Sequence, residues 1–211
     1  MKIATPISAD QPVGVSPFDD GQEMGCFRDA TCAAAIWNRS VPSEVTAWLA
    51  GLDGALLPSG RAVMAVAAVT HNVTQLCDMA DMPKGPQRDW LIDDIADLAK
   101  RFAEVMSAPY VRVRLQAVTT NACRKFHLDA ITGRLVCTYR GSGTQYGTSA
   151  KGEDPEHIFT TPTGAPILLR GSLWPAKPST GLLHRSPPIE GTGETRLVLV
   201  LDPASETDIT A

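Results

Sequence analysis

Three side chains in the stretch Asn-Ala-Cys-Arg-Lys-Phe-His-Leu-Asp, residues 121–129, are of types that ligate metal ions: Cys123, His127 and Asp129. On a strand, alternate side chains share a face, so His127 and Asp129 project together while Phe126 and Leu128 project from the other side. One neutral imidazole and one carboxylate are two parts of a non-haem iron site. The third part has to come from a distant strand. Of the four histidines in the chain, His184 stands in Gly-Leu-Leu-His-Arg-Ser-Pro-Pro, just before a turn-rich stretch. Beyond that stretch Arg196 opens the strongest strand of the sequence, Arg-Leu-Val-Leu-Val-Leu-Asp. If Val198 and Val200 face an interior, Arg196 faces it too. A buried guanidinium needs an anionic partner, and its fork matches a carboxylate.

These residues must be carried by elements that the hydrophobic pattern defines. Residues 1–35 are rich in Pro, Gly and Asp and predict an irregular arm. Residues 36–108 predict a helical buttress. One helix follows Pro42, with Ser43 able to cap it and Val45, Trp48, Leu49 and Leu52 on one face. Residues 61–79 are rich in Ala and Val and predict a second. The clearest helix runs from Gln87 to Met106, where Leu91, Ile95, Leu98, Phe102 and Val105 form one stripe, with Asp89, Asp93 and Asp94 toward its N-terminus. After Pro109 the period changes to two. Val111, Val113 and Leu115 alternate with Arg112, Arg114 and Gln116, and further strands are expected at Lys125–Asp129, Arg134–Tyr139, Pro166–Arg170, Leu182–Arg185 and Arg196–Asp202. Residues 109–205 therefore form the β-rich core of one compact α+β domain, with the helices packed outside it.

Composition bounds the function. The 211 residues are 44% hydrophobic and 20% charged, ordinary for a globular protein. The net charge is −4 and there is no basic run, so nothing indicates a nucleic-acid partner. No apolar window reaches the length of a membrane span or a secretory signal. Five cysteines (Cys26, Cys32, Cys77, Cys123 and Cys137) in irregular spacing do not make a disulfide framework, and the expected compartment is the reducing cytoplasm. Walker-type loops, nucleophile elbows and dinucleotide fingerprints are absent.

The order His-x-Asp, a long gap, His, then Arg resembles the 2-oxoglutarate and Fe(II)-dependent dioxygenase superfamily. The likeness extends to Gly141-Ser142-Gly143-Thr144 after a strand, to Gly164-Ala165-Pro166-Ile167-Leu168-Leu169, and to the His184–Arg196 run with Pro187, Gly191 and Gly193 inside it. It covers residues 110–202. The chain as a whole also resembles an uncharacterised bacterial family of unknown function, through Phe-His-Leu-Asp, Leu-Val-Cys-Thr-Tyr-Arg-Gly-Ser-Gly-Thr and His-Arg-Ser-Pro. The first resemblance implies a distorted jelly-roll, or double-stranded β-helix. It implies iron held by His127, Asp129 and His184, and Arg196 paired with the far carboxylate of 2-oxoglutarate. The reaction implied is oxidative decarboxylation of 2-oxoglutarate coupled to hydroxylation or demethylation of a small-molecule substrate. Many members carry Ser or Tyr close to that arginine. Here the residue two positions on is Val198, so Tyr139, Thr138 or Arg134 is expected to supply the missing polar contact.

Other residues admit other chemistry. Cys123 and Cys137, with His127, Asp129 or His184, would make a zinc site in a cupin-like protein, structural if closed and hydrolytic if open. A binding module with a degenerate metal site is a third class. His71 reads as a structural helix residue, His157 as a solvated loop residue, and Asp93-Asp94 as a solvated helix face. The polar stretch 144–165 is long enough to be a lid or substrate wall carrying Tyr146, and Gly171–Gly181, with Trp174, is a second candidate for the mouth.

Overall fold

The computed structural model describes residues 11–149, 153–176 and 180–209. Its strands are β1 (Val15–Phe18), β2 (Ala34–Trp37), β3 (Gly60–Ala65), β4 (Tyr110–Val118), β5 (Gly133–Arg140), β6 (Gln145–Thr148), β7 (Phe159–Thr160), β8 (Ile167–Arg170), β9 (Leu182–Arg185) and β10 (Arg196–Ala204). Its α-helices are α1 (Ser43–Gly51), α2 (Val69–Met79) and α3 (Pro86–Met106). None of the described helices is long and apolar enough to cross a membrane.

The strands make two sheets. The larger has the order β1-β2-β8-β5-β10-β4-β3 and the smaller β7-β6-β9. A single antiparallel bridge, His127↔His184, adds the segment after β4 to the smaller sheet. From β4 onward the chain thus passes to and fro: β4, β5, β8 and β10 go to the larger sheet, while the His127 segment, β6, β7 and β9 go to the smaller. That alternation is a double-stranded β-helix, and with helices on its outside the fold is α+β.

Strand alternation separates two interiors. Leu197, Leu199 and Leu201 of β10 share one face with Leu135 and Cys137 of β5 and Val111, Val113 and Leu115 of β4. The stripe of α3, Leu91, Ile95, Leu98 and Phe102, is fully buried against this face. Burial of each such side chain is worth roughly 1.5–3 kcal/mol. The other face of β10, with Val198 and Val200, joins Val136, Tyr146, Ile167, Leu169 and Leu182 in a smaller cluster between the two sheets. This is the lumen.

α3 begins with Pro86 in its first turn and ends where Ser107 turns into the left-handed region (φ 52°), so that Ala108 N–H returns to the Ala103 carbonyl at 2.9 Å. The solvated face expected for Asp93 and Asp94 holds for Asp93, which is exposed, and is corrected for Asp94. Both its oxygens accept from Arg39 (2.6 and 2.7 Å), and Tyr139 Oη donates to Oδ2 at 2.5 Å. This buried knot ties α3 to β5 and to the chain after β2.

Four further expectations are corrected. The arm predicted over 1–35 supplies β1, a 3₁₀ turn (Gly21–Arg28) and the start of β2; its first ten residues lie outside those described. The helix predicted over 61–79 begins only at Val69, because Gly60–Ala65 pairs with β4, and that pairing overrides the local Ala/Val preference. Ser43 does not cap α1; its hydroxyl contacts Glu44 instead. The strand predicted at Lys125–Asp129 is reduced to the one bridge at His127, because the Lys125 carbonyl is taken by the His127 ring rather than by a neighbouring strand.

Candidate metal centre

The bridge that ends the strand at His127 is also what brings two imidazoles together. His127 and His184 exchange both backbone hydrogen bonds, 3.0 and 3.1 Å, so their side chains lie on one face with ring centroids 4.5 Å apart. In the neighbouring pairing His184 stands opposite Tyr146, whose ring belongs to the lumen cluster. Asp129 completes the group. The ligand atoms of His127, Asp129 and His184 all lie within 4.8 Å of one another, and among the described residues this cluster contains no cysteine.

The hydrogen bonding of the three side chains is incomplete in a way that suits a cation. His127 Nδ1 lies 2.9 Å from the Lys125 carbonyl, which can only accept, so Nδ1 carries the proton and Nε2 presents a lone pair. That lone pair faces Asp129 Oδ1 at 3.5 Å, acceptor against acceptor. Asp129 Oδ2 is buried and makes no hydrogen bond of good geometry, although His184 Nε2 is 3.1 Å away and Arg134 Nη1 2.8 Å away. Two imidazoles and a carboxylate oriented in this manner fit a divalent ion with a preference for nitrogen and oxygen. Burial acts to raise the Asp129 pKa, but contact with His184 and the charges of His184, Arg134 and His127 outweigh it and hold the carboxyl at about 2. Burial lowers the His184 pKa, against the pull of Asp129, and favours the neutral imidazole that a metal requires.

Arg134 is a residue whose role the sequence does not reveal. Its Nε and Nη2 donate to the two oxygens of Asp202 at 2.7 and 2.9 Å, and Nη1 reaches Asp129. It braces the carboxylate of the triad from β5, with its nitrogens on carboxylates of the chain itself. Asp202, which closes an otherwise apolar strand on the face of Arg196, carries the only sequence signal for this network.

Arg196 lies on the lumen face and is 3% exposed. Nε donates to the Ser142 carbonyl at 2.6 Å and Nη2 to the Thr138 hydroxyl at 3.1 Å, but among the described residues no carboxylate lies within ion-pair distance. Burial lowers its pKa to about 10, so it is cationic at neutral pH. Of the three polar contacts expected beside it, only Thr138 is there. Tyr139 is corrected: it projects from the opposite face of β5, into the helix-side core, with its hydroxyl on Asp94.

The remaining candidates separate cleanly. Cys137 is buried in the helix-side core, with its thiol pushed up to about 12 by burial, and Cys123 is exposed outside the cluster. His71 and His157 are exposed. The 144–165 stretch is no simple lid: it contains β6 and β7, and Tyr146 is buried, stacked on Phe159 and donating to Gln11 Oε1 at 2.8 Å. Residues 150–152 of it lie outside those described. Of Gly171–Gly181, Gly171, Trp174 and Gly181 line a pocket of about 180 Å³ together with Leu128, which faces away from the triad; residues 177–179 lie outside those described. Gly171 has no room for a side chain, since a Cβ there would stand 2.1 Å from the Ile131 carbonyl and 2.7 Å from that of Asp129.

A family model described as "Protein of unknown function (DUF1826)" matches residues 19–202. Comparison with curated protein sequences gives no match. Among solved structures, the chain is similar to the rice dioxygenase for auxin oxidation, with 13% identity, TM-score 0.49 and coverage of 93% of this chain and 84% of that one. It is similar to dioxygenase for auxin oxidation 1 from Arabidopsis thaliana in its 2-oxoglutarate complex (12%, TM-score 0.46, 93% and 94%). It is also similar to a Pseudomonas putida prolyl-4-hydroxylase (13%, TM-score 0.46, 89% and 100%).

Proposed function

The chain belongs to the DUF1826 family, and we propose that it is an Fe(II)- and 2-oxoglutarate-dependent oxygenase that hydroxylates or demethylates a small molecule. The observation that carries this reading is Arg196. A guanidinium buried on the lumen face, hydrogen-bonded only to neutral acceptors and with Glu194 acting on it only from beyond ion-pair distance, is costly unless an anion joins it. A zinc protein has no evident use for it, whereas 2-oxoglutarate supplies a carboxylate of the right shape.

In this reading His127, Asp129 and His184 hold Fe(II). With 2-oxoglutarate bound, the iron supplies the oxidising chemistry, in which decarboxylation to succinate accompanies attack on a C–H bond. The chain's own residues do the rest. Arg134, anchored on Asp202, fixes the Asp129 carboxylate. The Lys125 carbonyl fixes the His127 tautomer. Arg196 pairs with the far carboxylate of 2-oxoglutarate, and Thr138 takes the polar place that Val198 leaves open. Val136, Val198 and Val200 keep that end of the lumen dry, which strengthens the ion pair.

The test is spectroscopic. Fe(II) and 2-oxoglutarate are added to the metal-free protein without oxygen, and a weak visible charge-transfer band is expected. The band should vanish in His184→Ala and weaken in Arg196→Ala. Tight zinc binding with no response to 2-oxoglutarate overturns the proposal in favour of a zinc-binding, cupin-like protein.

A further inference from the structure

The lumen-side face of the larger sheet carries mostly positive charge. Along β3, β4, β5 and β10 that face presents Arg61, Arg112, Arg114, Arg134 and Arg196, and Asp202 is the acidic residue among them. The chain as a whole has 23 acidic and 19 basic residues, so the concentration is local. Three of the five arginines are accounted for. Arg134 binds Asp129 and Asp202, Arg196 is assigned above, and Arg112 lies 3.8 Å from Asp208.

Arg61 and Arg114 are left. They stand directly opposite each other in the β3–β4 register, and Arg114 is opposite Val200 of the lumen cluster on its other side. Among the described residues neither has a hydrogen-bond or ion-pair partner. Like charges directly opposed across a strand pair weaken it. Asp202, diagonal to Arg114 across the β4–β10 pair, offsets the repulsion only in part: it attracts Arg114 through space, but its hydrogen bonds go to Arg134. Burial and the charges of Arg134 and Arg61 together lower the Arg114 pKa, against Asp202. An oxyanion between the two guanidiniums would remove the repulsion. Their exposure distinguishes them from Arg196: Arg114 is half-buried and Arg61 exposed, so this pair is open to solvent while Arg196 is sealed. Arg134, whose charge acts on Arg114, touches both Asp202 and the triad's Asp129.

We propose that Arg61 and Arg114 bind the carboxylate or phosphate group of the molecule that is oxidised, so that the substrate is a small organic anion. This rests on the oxygenase reading for the word substrate; the anion site itself does not.

The test uses inorganic phosphate as probe on the full-length ¹⁵N-labelled protein, read at the arginine Nε–H signals assigned by substitution. The Arg61 and Arg114 signals should shift saturably, with a millimolar dissociation constant that saturating 2-oxoglutarate leaves in place. Arg61→Gln should weaken the response about tenfold, and Arg61→Gln with Arg114→Gln should abolish it. Because Arg61 is exposed on the outermost strand, the single variant decides the matter if the double variant fails to fold. Three results overturn the proposal: equal shifts with chloride at matched ionic strength, which mean an adventitious ion only; displacement of phosphate by 2-oxoglutarate, which gives the pair to the cosubstrate; and far tighter binding of a short oligothymidylate, which points to nucleic acid. The anaerobic iron spectrum fails or succeeds independently of all three.

Discussion

Arg134 distributes its guanidinium over two carboxylates from distant parts of the chain, and the consequences of removing it can be separated. Arg134→Met should weaken metal binding about 10- to 100-fold, as loss of an outer partner does. It should also destabilise the fold by about 3–5 kcal/mol, because Asp202 is left buried and unpaired. Adding Asp202→Leu should restore much of the stability and none of the metal affinity, as read by chemical denaturation and Co(II) titration. Protonation gives a second test. Asp129, held at about 2, stays ionised throughout the working range, so protons compete with the metal at imidazole. Metal affinity should therefore be flat above neutral pH and fall as the pH drops below it. The lowered pKa of His184 delays its own share of that loss to more acidic pH. A loss of metal on raising the pH would contradict this. The candidate ligand types were legible in the sequence because His-x-Asp needs only strand alternation to be read. The role of Arg134 was not, since it depends on Asp202, which lies 68 residues away along the chain.

At the scale of elements, α3 is held to the barrel by apolar packing and by one buried ionic knot. Asp94→Ala would leave Arg39, a side chain only 12% exposed, without its bidentate partner and would free the Tyr139 hydroxyl. A loss of about 3–5 kcal/mol is expected in equilibrium unfolding, and Arg39→Met in the same chain should recover part of it. An effect under about 1 kcal/mol would mean that the knot is as weak as a surface pair. Strong periodicity made α3 readable almost to the residue. It failed for Gly60–Ala65, where the deciding partner is β4, and for Asp94, which stands beside the exposed Asp93 in the chain while its neighbours in space are a guanidinium and a phenol. The bridge at His127 was over-read as a full strand for the converse reason: the alternation is real, but a ring nitrogen takes the carbonyl that a ladder would need.

For the whole molecule, ligand binding and stability are linked. A ligand at about 100 times its dissociation constant, binding only the folded state, adds about 2.7 kcal/mol. For a domain of this size that corresponds to a rise in Tm of roughly 5–10 °C. Mn(II) with 2-oxoglutarate should produce it in scanning fluorimetry, and 2-oxoglutarate alone should produce much less. Equal shifts with and without the metal would show that the two do not share a site. The α+β class follows from the change of period at Pro109, whereas the alternation of strands between sheets was implied only by the resemblance to the oxygenase superfamily. The N-terminal strands did not announce themselves, because β1 and β2 are only four residues each, and β2 depends for its pairing on the distant β8 and β1 on β2.

The position of β3 at the end of the larger sheet has a further consequence. A terminal strand offers a row of backbone donors and acceptors to any second strand that approaches, and long cationic side chains are one means of discouraging such addition. Arg61 stands on that strand. Its replacement by glutamine would therefore make the protein more prone to edge-to-edge self-association, a colloidal effect that light scattering would register even where no ligand is present.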